Sequence, residues 1–366
     1  MEKSLSPCNA EIHCTRARNH TAAGLAAALL LVCTGARGGV STAGESGAWL
    51  RIPAGAQAGA LGGAYAAAPA SLQAWWNPAR LPMADRGRMS AGVGVRSLGR
   101  SEAQVSGALR VPPRAGLGLA FLYRGDPSID NLRDANENLL GTGGFTTLNF
   151  RAGAGYLLTR TLSLGASIGF FHQRLSTLDG GSDRLGSSSV TGIGGFDLSL
   201  HLRPAPWLAL VAQVRKLGLT MKWEIQTGEY DLNTTSSDAV LPELVAAARV
   251  QTAFLERPLY WTVDVVGFLF DPSGGVLGRP QAMLHNGLEW EYWENFALRA
   301  GLGEIPLSGR FLDGEGLRSA GFSPRICAGF GAGLERIRPG LALHYAIMSD
   351  RVWAGIDQVL DITLEF

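Results

Sequence analysis

Apolar side chains recur at every second position along most of this chain. From about residue 88 to the end, segments of about 9 to 16 residues follow this period of two, which is typical of β-strands with one apolar face. The clearest are FDLSLHLR at 196–203 and LDITLEF at 360–366. No helical period of useful length follows residue 88, so the pattern predicts a protein built almost entirely of strands.

Fourteen such segments can be counted, and the links between them differ in length. The segments are 88–97, 102–111, 115–124, 145–158, 162–174, 188–203, 207–217, 243–253, 258–269, 281–292, 295–304, 322–335, 338–348 and 357–366. Short links alternate loosely with long polar links at 125–144, 175–187, 218–242 and 305–321. This arrangement is expected when the turns at one rim of a barrel are tight and the loops at the other rim are long.

Two architectures fit such strands, a soluble sandwich and a membrane barrel. The alternation places Asp, Arg, Glu and His on one face and Leu, Phe, Val and Ala on the other. A membrane barrel has a polar lumen and an apolar exterior, but a sandwich strand also has one apolar face. The alternation alone therefore does not separate the two architectures.

The first 43 residues read as an export signal peptide, which favours the barrel. Arg16 and Arg18 precede TAAGLAAALLLVC, an apolar stretch too short to span a bilayer as a helix, and small residues follow it. Cleavage after Ala36 or Ala43 would fit, and we place it after Ala43. Export to the bacterial outer membrane is the localisation that this leader predicts.

The end of the chain favours the barrel as well. An amphipathic final strand finishes on Phe366, and a terminal aromatic residue resembles the signal read by the bacterial outer-membrane assembly machinery. Aromatic residues near predicted strand ends fit girdles at the membrane interface: Tyr123, Trp207, Trp261, Trp290, Tyr292 and Trp293. We predict an all-β fold, a transmembrane antiparallel β-barrel of about 14 strands over residues 88–366.

Composition and charge exclude several classes of function. The chain has 366 residues, 49 of them glycine, and only 17% are charged, which is familiar in strand-rich proteins. The net charge of +1 gives no electrostatic reason to expect nucleic acid as a partner. Cys327 is the only cysteine after the leader, so no internal disulfide or cysteine-based zinc site is possible. We expect no metal and no cofactor.

Residues 50–82, LRIPAGAQAGALGGAYAAAPASLQAWWNPARLP, precede the first strand and carry a family resemblance. They resemble the start of the PorV/PorQ family and, more remotely, of the FadL fatty-acid transporter superfamily. The matching residues are Gly59, Gly62, Gly63, Ala64, Tyr65, Trp76, Asn77, Pro78 and Ala79. Two departures stand out: Arg80 replaces the usual glycine, and APAS at 68–71 replaces the usual acidic residues.

The resemblance implies a fourteen-stranded outer-membrane barrel whose N-terminal part, here residues 44–87, folds inward as a hatch. In FadL-like proteins hydrophobic substrates pass around the hatch, which predicts a continuous apolar cavity beside it. PorV-like proteins instead serve protein export and bind secreted proteins or translocon subunits. The sequence does not separate these roles from each other, nor from a structural outer-membrane protein. Outer-membrane lipid is a partner in every case.

The Trp-Trp-Asn-Pro stretch predicts a sharp turn within the hatch. Pro78 lacks a backbone donor and disfavours helix at Asn77, so a short helix through SLQAWW should end there. Trp75 and Trp76 should then pack against the inner wall of the barrel or line a passage, and we expect packing.

Inward-facing polar residues follow from strand parity. Glu289 and Glu291 share one face of their strand, while Trp290 and Tyr292 share the other. Arg299 and Asp264 have the parity to join the glutamates in the lumen. The simple interpretation is a solvated or salt-bridged lumen wall, and the alternative is a selective pore lining.

Two local motifs suggest other chemistry. GASIG at 165–169 matches a hydrolase nucleophile elbow, but Ser167 lies in a strand pattern with no helix after it, and nothing ties His201, His285 or His344 to it. A membrane-embedded hydrolase is therefore only an alternative to a non-enzymatic barrel.

Asp134, Asn136 and Asn138 have the spacing of a calcium loop, but Leu139 and Phe145 replace its glycine and glutamate, so we predict a polar surface loop.

Overall fold

The computed structural model describes residues 48–69, 72–126, 129–133, 139–175, 179–180, 183–184, 187–227, 232–268, 282–307, 324–350 and 355–366. The predicted leader at 1–43 and the calcium-like spacing at 134–138 lie outside these residues. No helix among the described residues is long and apolar enough to cross a membrane.

The described residues form twenty strands. They are β1 (Arg88–Val95), β2 (Ser101–Val111), β3 (Ala115–Gly125), β4 (Ile129–Arg133), β5 (Leu139–Gly143), β6 (Phe145–Leu157), β7 (Leu162–Leu175), β8 (Asp179–Gly180), β9 (Asp183–Arg184), β10 (Ser187–Ala205), β11 (Leu208–Leu217), β12 (Thr220–Thr227), β13 (Leu232–Ala239), β14 (Glu243–Phe254), β15 (Arg257–Phe268), β16 (Ala282–Trp293), β17 (Phe296–Pro306), β18 (Arg325–Gly333), β19 (Leu341–Ser349) and β20 (Ile356–Glu365).

Fourteen of these strands close into an antiparallel barrel. The order around the ring is β1, β2, β3, β6, β7, β10, β11 and then β14 to β20, and β20 pairs with β1 to close it. Each of the fourteen predicted segments corresponds to one barrel strand. The predicted all-β barrel is therefore confirmed.

The remaining strands belong to the links at the long-loop rim. The first part of β10 pairs with β12 and its later part with β11, so the hairpin β12–β13 extends the wall above the end of β11. The link 218–242, predicted as a long polar loop, contains this hairpin instead, because the alternation in TMKWEIQT at 220–227 forms a strand. Small hairpins β4–β5 and β8–β9 lie in two other links.

The alternation along each strand explains the two surfaces of the barrel. On β3, Leu117, Leu119 and Phe121 are 53%, 54% and 41% exposed, whereas the residues between them are buried. Exposed leucine, isoleucine, valine and phenylalanine side chains recur on most barrel strands. The outer surface is thus apolar and the inner surface polar or small, the reverse of a soluble barrel.

An N-terminal segment, residues 48–87, lies inside this ring. It contains helix α1 (Ala56–Ala60), helix α2 (Gln73–Trp76) and the 3-10 helices Ala48–Arg51 and Pro78–Met83. Helix α1 contacts β17 to β20, whereas Pro78–Met83 contacts β2, β3, β6, β7 and β10 on the other side of the ring. Because its residues from Pro53 to Ala68 are almost all buried, the segment forms the core of the molecule.

Candidate functional site

Rows of glycines on the barrel wall receive the N-terminal segment. Gly116, Gly155 and Gly165 lie in register on β3, β6 and β7. A Cβ atom at any of the three would come within 3.0 Å of backbone atoms of residues 78–82, a separation that packed side chains do not reach. Glycine is therefore required because the segment's backbone lies directly on the wall.

A second glycine row lies across the lumen. Gly287 and Gly301 pair on β16 and β17, and a Cβ atom at either would come within 3.0 Å of Leu61. Gly62 and Gly63, predicted as hatch residues, follow at the bend after α1, where they have φ values of +67° and +86°. Residues with a side chain rarely adopt this left-handed conformation, so the bend also needs glycine.

The Asn-Pro-Ala element joins the two halves of the segment. Helix α2 ends at Trp76, and Pro78 starts the following 3-10 helix. Asn77 is buried; its Nδ2 donates to the Ala66 carbonyl at 2.8 Å, and its Oδ1 accepts from Ala79 N at 3.0 Å. Ala79 N also donates to Ser199 Oγ of β10 at 2.9 Å. Asn77 therefore holds the turn against the earlier half of the segment, and Ala79 N joins the turn to the wall.

Wall carboxylates satisfy the segment's free backbone donors. Asp361 Oδ2 accepts from Ala56 N, the first residue of α1, at 2.6 Å. Asp264 Oδ2 accepts from Tyr65 N and Ala66 N, each at 2.8 Å, and this predicted lumen residue is 2% exposed. Buried N–H groups need such partners, because an unpaired one costs as much as a lost hydrogen bond.

Replacing Asp264 with alanine should loosen the segment. Tyr65 N and Ala66 N would lose their acceptor, at a cost of about 1–3 kcal/mol for each buried donor. We expect Asp264→Ala to lower the urea concentration at which a protease cleaves the segment. Asp264→Asn, which keeps an acceptor oxygen, should lose less. If the protease cleaves Asp264→Ala and the unchanged protein at the same urea concentration, Asp264 does not hold the segment.

Tyr65 starts a polar chain toward the short-turn rim. Its hydroxyl donates to Gln57 Oε1 at 2.6 Å, and Gln57 Nε2 lies 3.3 Å from His344 Nε2. Arg299 Nη1 lies 3.4 Å from the other ring nitrogen of His344. Burial raises the pKa of the Tyr65 hydroxyl, which keeps it a neutral donor.

The predicted lumen residues Glu289 and Arg299 form a buried ion pair. Arg299 Nε donates to Glu289 Oε2 at 2.6 Å, and Arg249 Nη2 donates to Glu289 Oε1 at 2.7 Å. Glu291 lies on the same face, partly buried, next to Tyr260. Glu289 therefore has two arginine partners on neighbouring parts of the wall.

Arg80, which replaces the glycine of the family pattern, has a structural partner. Its Nη1 donates to the Ala67 carbonyl at 2.8 Å and lies 3.2 Å from His201 Nε2 on β10. Burial, followed by the positive charge of Arg249, lowers the pKa of Arg80 to about 9. The arginine therefore ties the segment to β10 instead of leaving space for movement.

Trp75 and Trp76 are packed, with only 7% and 8% of their surfaces exposed. Trp76 Nε1 donates to the Ala54 carbonyl at 3.2 Å. The guanidinium of Arg151 lies 4.8 Å from the centre of the Trp75 ring, and that of Arg215 lies 5.6 Å from Trp76. The two rings form part of the floor of a cavity that opens toward the long-loop rim.

This cavity has a volume of about 240 Å³ and a charged lining. The lining cations are Arg51, Arg96, Arg100, Arg124, Arg151, Arg215, Lys216 and Arg325. The lining carboxylates are Glu243, Asp264, Glu304, Asp350 and Asp357. The resemblance to FadL-like transporters predicts a continuous apolar cavity, whereas this cavity mixes apolar side chains with more cations than carboxylates. Strand parity does not predict this excess of cations, because the cations come from the ends of many different strands.

Most of these charges are paired. Arg96 contacts Asp357 at 3.0 Å and Glu102 at 2.6 Å, and Lys216 contacts Glu243 at 2.6 Å. Such pairs neutralise one another, so they leave little charge for a ligand.

Among the arginines of the cavity, Arg325 and Arg215 keep donor capacity for an anion. Arg325 contacts Glu304 at 3.3 Å through Nη2, but its buried Nε and Nη1 have no hydrogen-bond partner among the described residues. Arg215 donates to Gln213 Oε1 and to the Trp76 carbonyl, and no carboxylate of the described chain lies within 4.0 Å of it. A buried guanidinium with free donors is costly unless an anion completes it.

The other sequence motifs do not assemble a catalytic or metal site in the described residues. Ser167 lies in the middle of β7, and its Oγ donates to Asp197 Oδ2 at 3.2 Å. His201, His285 and His344 contact Arg80, the Gly62 carbonyl and Gln57. No group of three or more potential metal ligands occurs within the described ranges.

The fold is similar to those of solved outer-membrane channels. The "TodX deltaS2S3 mutant monoaromatic hydrocarbon channel" matches with a TM-score of 0.57 at 13% identity, covering 86% of this chain and 99% of that one. The Ralstonia pickettii toluene transporter TbuX matches with a TM-score of 0.55 at 15% identity. A Pseudomonas aeruginosa FadL homologue matches with a TM-score of 0.52 at 11% identity. Both matches cover 86% of this chain and 99% of the other chain. No family model and no curated protein matches the sequence. At these identities the likeness concerns the fold.

Proposed function

We propose that this protein is an outer-membrane channel of FadL-like type, for small molecules that combine an apolar body with a negative charge. Residues 1–43 are the signal peptide, residues 44–87 the hatch and residues 88–366 the transmembrane barrel. The apolar outer surface, the closed ring and the similarity of fold to hydrocarbon channels support this membrane location. The names of two proteins that share the fold describe a monoaromatic hydrocarbon channel and a toluene transporter.

The observation that carries the proposal is the incomplete pairing of Arg325 and Arg215 in the cavity above the segment. Leu50, Val266 and Met283 supply apolar surface in the same cavity as Arg325, whose Nε and Nη1 have no partner among the described residues. Binding sites commonly combine apolar walls with a few polar groups that fix orientation. A ligand with an anionic group and an apolar body fits this lining. Its anionic group would accept hydrogen bonds from Arg325, and its apolar body would contact the apolar side chains.

Passage of matched ions through reconstituted liposomes tests this function. Benzenesulfonate and benzyltrimethylammonium are similar in shape, opposite in charge and both poorly permeant through lipid. We expect the channel to pass the sulfonate faster and Arg325→Gln to slow it about tenfold, since hydrogen bonds to charged groups contribute about 1.5–3 kcal/mol.

Two controls accompany the uptake experiment. Glu304→Gln removes the carboxylate that pairs with Arg325, so it should preserve or raise sulfonate passage. Arg160→Gln, at an exposed turn, should change nothing. Passage of neither ion above that of empty liposomes would contradict a channel, and equal passage of both would contradict the charge preference.

A PorV/PorQ-like role in protein export is a second candidate. Among the described strands, β13 pairs only with β12, and its residues Thr235–Ala239 are exposed. An open strand edge can pair with a strand of another protein. Affinity purification from native membranes separates the two candidates: recovery of translocon subunits favours export, and a small molecule retained in the lumen favours uptake.

A further inference from the structure

Seven aromatic rings form a continuous seam on the outer surface of the barrel. Successive rings are 4.4 to 6.0 Å apart between centroids. In order they are Phe254, Trp290, Tyr292, Trp293, Phe296, Phe330 and Tyr345. The seam crosses from β14 to β19 near the short turns, so it covers one sector of the barrel. Aromatic side chains of this kind lie at the level of lipid headgroups.

A surface cleft lies within this sector. It is a shallow depression, open to solvent, and is formed by Arg257, Trp293, Glu294, Asn295 and Phe296. Arg257 begins β15, and Glu294 and Asn295 form the turn between β16 and β17. The turn is held in place because Gly333 N of β18 donates to the Asn295 carbonyl at 2.7 Å.

The charges in the cleft are not used by the protein itself. Within the described residues neither Arg257 nor Glu294 forms a salt bridge, although both border the same cleft. The cleft thus offers a guanidinium, a carboxylate, an amide and two aromatic rings at the edge of a lipid-facing surface. Its chemistry complements a ligand with one negative group, one positive group and apolar chains.

We propose that this cleft binds the headgroup of a membrane phospholipid that carries both a phosphate and a primary ammonium, as ethanolamine phospholipids do. The phosphate accepts hydrogen bonds from the Arg257 guanidinium, whose donors match phosphate geometry. The ammonium donates to the Glu294 carboxylate and lies near the Trp293 ring. The acyl chains continue along the aromatic seam. The inference goes beyond transport and shares with the proposed function only the membrane location.

Native mass spectrometry of the purified full chain tests the lipid site. The protein in mild detergent is mixed with phosphatidylethanolamine or with phosphatidylglycerol, which has the phosphate but no ammonium. We expect phosphatidylethanolamine to bind about tenfold more tightly, because its ammonium adds a charge-assisted hydrogen bond. Arg257→Gln should weaken both lipids about tenfold, since both need the phosphate contact. Glu294→Gln should remove only the preference for phosphatidylethanolamine.

The lipid-binding experiment has a matched control variant. Arg160→Gln removes an exposed arginine from a turn outside the seam and should leave lipid binding unchanged. Heat-dependent migration in SDS gels shows that each variant is folded. Unchanged binding in Arg257→Gln would overturn the site, and an unchanged lipid preference in Glu294→Gln would overturn the assignment of the ammonium. These outcomes do not depend on uptake, so failure of the transport proposal would be seen separately.

Discussion

Deletion of residues 48–83 should raise the ion conductance of the reconstituted barrel by at least about tenfold, because a barrel of this strand number without a plug is wide enough for water. The deleted residues include helices α1 and α2 and the 3-10 helix Pro78–Met83. Together these elements contact strands on opposite sides of the ring. The barrel should still close, since β1 pairs with β20 along its full length without help from the segment. Conductance across a planar lipid bilayer measures the effect.

The control for this deletion is the full chain with Gly107→Ala. Gly107 lies on β2, and a Cβ atom there would meet no other atom within 4 Å. Its conductance should equal that of the unchanged protein. A deletion variant that conducts no better than the full chain, while folded by SDS-gel migration, would show that something other than the segment closes the lumen.

Gly165→Val should displace the segment without damaging the strand that carries the change. The new side chain would overlap the backbone of Pro78 and Ala79, and forced overpacking costs about 1–3 kcal/mol, occasionally more. Valine is a better strand former than glycine, so β7 itself should not weaken. We expect trypsin to cleave after Arg80 at least about tenfold faster, in line with such a loss.

Gly107→Val is the matched control for Gly165→Val. Both glycines lie within barrel strands, but a Cβ atom at Gly107 meets open space. The control should therefore keep the cleavage rate of the unchanged protein. Slow cleavage in both variants would mean that the segment does not depend on the glycine row.

The sequence predicted the strands well because their signal is local. A period of two and the short turns between segments are properties of neighbouring residues, and they were sufficient to count fourteen strands. The hairpin β12–β13 was missed because its alternation lies inside a polar link. Parity also predicted that Asp264, Glu289 and Arg299 face the lumen, and all three are buried in the structure.

The site could not be predicted because it depends on register between distant segments. Gly116, Gly155 and Gly165 form a row only when β3, β6 and β7 are aligned, and in the sequence they are three glycines among 49. The cationic cavity likewise collects residues from many strand ends. Whether Arg325 is neutralised depends on which carboxylates reach it, and alternation carries no information on that contact.

A disulfide between the segment and the wall tests the central claim, that residues 48–87 are seated inside the barrel. The Cβ of Ala74 lies 3.4 Å from the position of a Cβ at Gly153, close to the usual separation in disulfides. The double variant Ala74→Cys with Gly153→Cys is prepared together with Cys327→Ala, since Cys327 is the only other cysteine after the leader. The control pairs Ala74→Cys with Gly107→Cys, where the second position has no neighbour within 4 Å. Mass spectrometry after mild oxidation should find the 74–153 disulfide in most molecules and no 74–107 disulfide. Absence of the 74–153 disulfide, or formation of the 74–107 disulfide in the folded barrel, would contradict the account.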